Sequence, residues 1–92
     1  MDEPKITREL LRPNGEHDGW AIFCPGCKCV HIFDGRWKFN GIMDKPTFSP
    51  SMRVNKDDPA SCCHSYIQKG QIRFLSDCFH SLKGQTVELE PF

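Results

Sequence analysis

The chain has 92 residues, and its twelve basic and twelve acidic side chains cancel to a formal net charge of zero. This length fits one small domain with a thin apolar core, so we expect a single domain over residues 1–92. The balanced charge gives no overall attraction to nucleic acid or to an anionic membrane. No stretch approaches the ~18 apolar residues of a membrane-spanning helix.

The N-terminal segment, residues 1–17, carries the weakest structural signals. Ile6 to Leu11 has the spacing of either a peripheral strand or a short helix that ends at Pro13, and a polar loop follows. The first residues are acidic and lead into no apolar region, so we expect no signal peptide and a cytoplasmic location. In that compartment the thiols stay reduced.

Short apolar segments on either side of a cysteine pair indicate strands. Trp20–Phe23 and Val30–Phe33 are the first two, and Asp34-Gly35 is a strong signal for a hairpin turn. Trp37–Asn40 follows this turn with its two aromatic side chains on one face. The segment therefore predicts a β-hairpin that rises from the cysteine pair.

The middle of the chain is rich in proline and hydroxyl groups. Residues 44–51 contain two prolines and predict an extended, irregular connection. The hydroxyls of Thr47, Ser49 and Ser51 are expected to cap turns rather than act as nucleophiles. Residues 52–54 fit an edge strand.

The second half contains the clearest hairpin, formed by His64–Ile67 and Gln71–Leu75, and a last strand over Thr86–Leu89. About seven short strands are indicated in all. They predict a mostly β, antiparallel domain, similar to a zinc ribbon and stapled by a Cys/His metal site.

The turn of this hairpin decides which side chains share a face, because side chains alternate along a strand. A two-residue turn at Lys69-Gly70 would require a positive φ at lysine. A three-residue loop over residues 68–70 requires it only at glycine, which adopts it freely. We therefore predict the three-residue loop.

The two possible turns place opposite sets of side chains on the same face of the hairpin. The three-residue loop puts one set of side chains on a common face, with the later ligand candidates at the same parity: His64, Tyr66, Ile72, Phe74, Cys78 and His80. The two-residue turn would reverse the assignment and bring Cys63 beside Cys78.

Cys24-Pro25-Gly26-Cys27 is the strongest chemical motif in the chain. Its tight turn aims two thiolates at one point, which is half of a tetrahedral zinc site. Six cysteines also allow disulfides, but the accompanying histidines and the reducing compartment favour Zn²⁺ over disulfides or an iron–sulfur cluster. The predicted ligands are Cys24, Cys27 and two of His64, Cys78 and His80.

The candidate donors outnumber the four ligands of a structural zinc site. Cys63 and His31 are second-choice ligands, whereas Cys29 and Cys62 are interpreted as plain small side chains. The surplus leaves open a second site with free coordination positions. Its candidates are the three histidines His31, His64 and His80, with Asp77 to orient a histidine or act on a metal-bound water.

Four sequence blocks resemble a small protein family of bacteriophages and prophages, a domain of unknown function whose members are often labelled "ammonia monooxygenase". The blocks are Gly19–Cys27 with His31, Pro46–Ser51, Cys63–Ile67, and Phe74–Leu82 with Gly84–Val87. The resemblance implies a phage-encoded accessory protein of the bacterial cytoplasm with a Cys/His metal site. It supplies no activity.

Three functions follow from these observations. The first is a zinc-stapled interaction module that docks on a host or phage protein, for example as an inhibitor of a defence protein, and whose exposed strand edges allow a homodimer. The second is a small zinc-dependent hydrolase that uses His64, His80 and Asp77. The third, a nucleic-acid-binding zinc ribbon, needs a basic face and is disfavoured by the zero net charge. Its basic residues would be Lys28, Arg36, Lys38 and Lys45. The small size and a closed metal site favour the interaction module over an enzyme.

Overall fold

The computed structural model describes residues 4–55, 57–58 and 60–92, which form eight short strands and no helix. The strands are β1 (Arg8–Leu11), β2 (His17–Cys24), β3 (Cys29–Phe33), β4 (Lys38–Phe39), β5 (Phe48–Val54), β6 (Cys63–Gln68), β7 (Gln71–Phe74) and β8 (Thr86–Glu88). The predicted mostly β, antiparallel class is confirmed, with eight strands where the sequence indicated about seven. The described part of the chain accordingly contains no helix that could cross a membrane.

The strands form two antiparallel sheets. The first has the order β1-β2-β3, and the second has the order β4-β5-β6-β7-β8. Of the two alternatives for the N-terminal segment, the strand is the one observed, because β1 pairs along β2 from Arg8↔Ala21 to Leu11↔His17. The Cys-Pro-Gly-Cys turn joins β2 to β3, and Cys24 pairs with Cys29 across it.

The core lies where the two sheets contribute side chains to one apolar cluster. Phe33 of the first sheet stacks on Phe48 of the second, with ring centroids 4.1 Å apart and an interplanar angle of 11°. Ile22, Ile67 and Ile72 are buried in the same cluster. Each fully buried side chain of this size contributes about 1.5–3 kcal/mol, so a few such contacts carry much of the stability of a chain this short.

The predicted hairpin between β3 and β4 is wrong. The backbone does turn after Phe33, with Trp37 N–H donating to the Asp34 carbonyl at 3.2 Å, but β4 then pairs with β5 in the other sheet. Aromatic packing accounts for the change of sheet: the Trp37 ring lies edge-on against Phe33, and Phe39 stacks on Phe48 at 4.8 Å. The Asp34-Gly35 signal correctly predicted the turn, whereas these tertiary contacts determine which strand β4 pairs with.

The three-residue loop predicted for the second hairpin is also wrong. Gln68 pairs with Gln71, so the turn has two residues, and both Lys69 and Gly70 have positive φ values of 48° and 81°. Left-handed backbone costs a lysine about 1–2 kcal/mol. Two tertiary hydrogen bonds offset this cost, because Lys69 N–H donates to Thr47 Oγ1 at 2.9 Å and Gly70 N–H donates to the Pro46 carbonyl at 3.0 Å.

The two-residue turn reverses the predicted faces of β6. Cys63, Ser65 and Ile67 are buried, whereas Tyr66 is exposed and His64 is only partly covered. Cys63 therefore faces the core, and His64 lies on the opposite, outward side of the sheet. This alternation decides which chemistry each side of β6 can support.

Candidate active site and metal centre

Three polar side chains on the outward side of the second sheet form a continuous hydrogen-bonded path. The Ser51 hydroxyl lies 3.0 Å from Nε2 of His64. Nδ1 of the same imidazole lies 3.1 Å from Oδ2 of Asp77. Serine and aspartate thus contact opposite nitrogens of one histidine, which is the arrangement that activates a serine hydroxyl as a nucleophile.

The strand register brings these three residues together. β5 pairs with β6 so that Arg53 faces His64 and Met52 faces Ser65, which places Ser51 within reach of the outward imidazole. The pairing then continues past β7, where Leu75 N–H donates to the His64 carbonyl at 2.9 Å. The chain turns immediately afterwards, and Asp77 comes to lie beside His64.

Electrostatics favour an ionised Asp77. Desolvation raises the pKa of this carboxyl, but the hydrogen bond and electrostatic interaction with His64, together with the Arg53 guanidinium, outweigh it and hold the pKa below its usual value. Arg53 Nη2 lies 3.9 Å from Asp77 Oδ2. An ionised aspartate accepts a hydrogen bond from Nδ1–H, which leaves the lone pair of Nε2 free to accept a hydrogen bond from the Ser51 hydroxyl.

The path is open to solvent. The side chains of His64 and Asp77 are 23% and 44% exposed. The imidazole and the carboxylate are therefore accessible from the outward face of the sheet.

A second polar group lies on the inward side of the same sheet. Cys24, Cys27, Cys63 and His80 each offer one ligand atom, and these four atoms all lie within 4.8 Å of one another. Cys63 Sγ is 3.5 Å from Nε2 of His80. Three thiols and one imidazole at this separation form the donor set of a tetrahedral metal site.

The Cys-Pro-Gly-Cys turn shapes this group. Cys27 N–H donates to Cys24 Sγ at 3.3 Å, and Lys28 N–H donates to the Cys24 carbonyl at 2.8 Å. A Cβ atom at Gly26 would overlap the His80 ring, so glycine allows the imidazole to approach the turn. The motif therefore supplies two thiols and the space for a third ligand.

The three thiols of this group do not all ionise readily. The neighbouring Cys63 thiol lowers the pKa of Cys24 to about 3 despite burial, and the nearby His31 imidazole contributes to the same shift. Burial raises the pKa of Cys27 to about 12, and the interaction with Cys24, together with burial, raises the pKa of Cys63. A bound cation would supply the positive charge that lets all three thiols ionise.

The structure does not bring all of the predicted metal ligands together. The structure brings Cys24, Cys27 and His80 together and adds Cys63, the second-choice ligand. The other two predicted ligands lie outside this group. Cys78 Sγ is 3.9 Å from Cys63 Sγ and bonds to the backbone of His64, and His64 faces outward with Asp77.

Ser51 is the functional candidate that the sequence analysis missed. Its expected turn-capping role is wrong, because Ser51 lies in β5 and its hydroxyl contacts His64. Thr47 does hold a turn, by accepting from Lys69 N–H. The only sequence signal for Ser51 was the hydroxyl-rich segment itself, since no G-x-S-x-G motif marks it.

One protein family matches most of the chain. Residues 2–75 match a protein family described as "Bacterial ubiquitination-like system serine protease (BubE)". The matched range includes Ser51, His64 and the three thiols of the group, and it ends before Asp77 and His80. No curated protein and no solved structure matches the chain. The chain is therefore a small Cys/His-rich member of the BubE family.

Proposed function

We propose that this chain is a serine hydrolase that cleaves amide bonds, with Ser51 as the nucleophile. The observation that carries the proposal is the hydrogen-bonded path from Ser51 through His64 to Asp77, with distances of 3.0 and 3.1 Å. The family description, a serine protease of a bacterial ubiquitination-like system, supports an amide bond in a protein conjugate as the substrate. The host or phage protein partner and the cytoplasmic location expected from the sequence stay predictions.

The chemistry assigns one role to each residue. Ser51 Oγ attacks the carbonyl carbon while His64 Nε2 takes the hydroxyl proton. The histidine gives that proton to the leaving amine as the carbon–nitrogen bond breaks, and an acyl-enzyme remains on Ser51. Water then attacks the acyl carbon while His64 Nε2 takes its proton. The histidine returns that proton to Ser51 Oγ as the ester bond breaks and the acid is released. Asp77 holds the imidazole in the required tautomer and stabilises its positive form.

The thiol group has a structural role in this proposal. Cys24, Cys27, Cys63 and His80 would hold one Zn²⁺ with four protein ligands, which leaves no position for substrate. This arrangement argues against the zinc-dependent hydrolase considered from the sequence, since His64 and His80 lie in different groups. Zinc would instead connect the first sheet, through the Cys-Pro-Gly-Cys turn, with β6 of the second sheet.

Zinc would also hold the serine site in register. Cys63 and His64 are neighbours on β6 and point to opposite faces, so a ligand bond to Cys63 restrains the backbone that carries His64. Cys78 strengthens this connection, since its thiol donates to the His64 carbonyl at 2.9 Å and accepts from His64 N–H at 3.1 Å.

Covalent labelling tests the proposal. The purified chain is treated with a fluorophosphonate, which reacts with activated serines, and the adduct is located by tandem mass spectrometry. We expect a single adduct on Ser51 and none in Ser51→Ala. Ser49→Ala is the matched control, because Ser49 is an exposed hydroxyl on the same strand and should leave labelling unchanged. Equal labelling of wild type and Ser51→Ala would overturn the assignment.

A further inference from the structure

A second group of metal-binding side chains adjoins the first. Cys27, Cys29 and His31 offer ligand atoms that lie within 4.8 Å of one another. Cys29 and His31 are two residues apart on β3, so their side chains share one face of the strand. Cys27 belongs to both groups and lies between them. The two groups of ligand atoms therefore share the Cys27 thiol.

His31 gives independent evidence for a ligand at this place. Its side chain is only 5% exposed, yet within the described ranges its Nε2 atom has no hydrogen-bond partner. Buried polar atoms are nearly always satisfied by a protein group, by water or by an ion. An imidazole nitrogen beside two thiols is a donor that a soft cation satisfies.

The donor chemistry identifies the class of ligand. Two thiolates and one imidazole suit Zn²⁺ and exclude the hard cations, which require oxygen ligands. Three protein ligands leave the fourth tetrahedral position open, and Cys29 is exposed, so that position faces solvent. The first group, by contrast, supplies four ligands, three of them buried, and is closed.

We propose that the chain binds two zinc ions, the second of them held by Cys27, Cys29 and His31 with the Cys27 thiolate as a bridge. The first ion occupies the closed four-ligand group, and the second binds more weakly because one of its positions is filled by an exchangeable solvent ligand. The second site includes none of Ser51, His64 and Asp77 and does not depend on the proposed serine chemistry. It gives the family member an exchangeable metal position at the surface of its first sheet.

A zinc titration of the reduced, metal-free chain tests this inference. The bound ions are counted by native mass spectrometry, and the wild type is expected to take up two. Cys29→Ser and His31→Ala should each bind one ion and keep the wild-type affinity for it. Cys62→Ser removes a cysteine that belongs to neither group and should still bind two ions. Since Cys29 is exposed, its variant is expected to fold even if the buried His31 variant does not.

Other outcomes separate the two sites. Uptake of a single ion that Cys63→Ser abolishes would overturn the second site and leave the first. Loss of both ions in Cys29→Ser would also overturn it, because Cys29 would then belong to the only site. Two ions retained in the Cys29→Ser His31→Ala double variant would show that the second ion binds elsewhere.

Discussion

His64 is the residue through which the proposed activity acts, because both of its ring nitrogens are engaged. Ser51 lies at one nitrogen and Asp77 at the other. The carboxylate fixes which nitrogen carries the proton, and the serine uses the free one. Neither contact alone would distinguish a catalytic histidine from a surface histidine with one partner.

Asp77 gives a pH-dependent prediction for Asp77→Asn. The folded pKa of Asp77 lies below its usual value, so the ionised form stabilises the fold. This contribution is complete above the unfolded pKa of about 3.9 and is lost as the pH falls through the lower folded pKa. We therefore expect the wild type to melt at a higher temperature than Asp77→Asn at pH 6, with the difference shrinking as the pH falls below about 3.9.

Melting curves of both proteins across this range would check the prediction. Asp34→Asn is a control, since Asp34 is also an exposed carboxyl with a lowered pKa, in this case because of its hydrogen bond with Arg36, but it lies away from His64. Activity separates the two: Asp77→Asn should reduce kcat by roughly 10⁴-fold, whereas Asp34→Asn should not. An unchanged kcat in Asp77→Asn would remove Asp77 from the site.

At the scale of elements, β6 carries both proposed functions on its two faces. Cys63 points inward to the thiol group, and the next residue, His64, points outward to Ser51. The segment after β7 repeats this arrangement, with Asp77 outward and Cys78 inward. A shift of either segment by one residue would exchange the metal face with the serine face.

Cys78 provides a test of this connection. Its thiol donates to the His64 carbonyl and accepts from His64 N–H, so Cys78→Ala removes two contacts that position the histidine. We expect a loss of about 1 kcal/mol in the free energy of unfolding and slower fluorophosphonate labelling of Ser51. Cys78→Ser, which keeps a donor and an acceptor, should recover most of the labelling rate. A full rate in Cys78→Ala would show that His64 is held by other contacts.

The elements also show how far the sequence could predict the molecule. Local alternation located nearly all strands, and the Cys24 and Cys27 spacing identified half of the thiol group, because both signals are contained in short segments. The turn at Lys69 could not be predicted, since its positive φ depends on a hydrogen bond with Thr47, a residue distant in sequence. Without that turn, Cys63 and His64 exchange faces.

The role of Ser51 could not be predicted from the sequence for a similar reason. Its role depends on the register of β5 against β6, where the pairing shifts between Phe48 and Met52. A proline-rich segment indicates neither a strand nor its partner. The candidate active site therefore required long-range pairing, whereas the metal-binding motif required only local spacing.

At the scale of the whole molecule, the thiol group joins parts of the chain that are distant in sequence. It combines the turn between β2 and β3, strand β6 of the second sheet, and His80 in the segment before β8. The shared apolar cluster also connects the sheets, for example through the stacked pair Phe33 and Phe48 and the contact of Trp20 with Phe39. A small domain with a thin core gains most from a metal that joins distant segments, because the cation replaces core contacts that so short a chain lacks.

The most direct test of the account is the rate at which Ser51 is labelled when its proposed base is removed. The fluorophosphonate reaction of the zinc-loaded wild type is followed by intact mass and compared with that of His64→Gln, with melting curves to verify that both are folded. We predict one adduct per wild-type chain and a rate at least about 10³-fold lower in His64→Gln. Equal rates in the two proteins would contradict the claim that His64 activates Ser51.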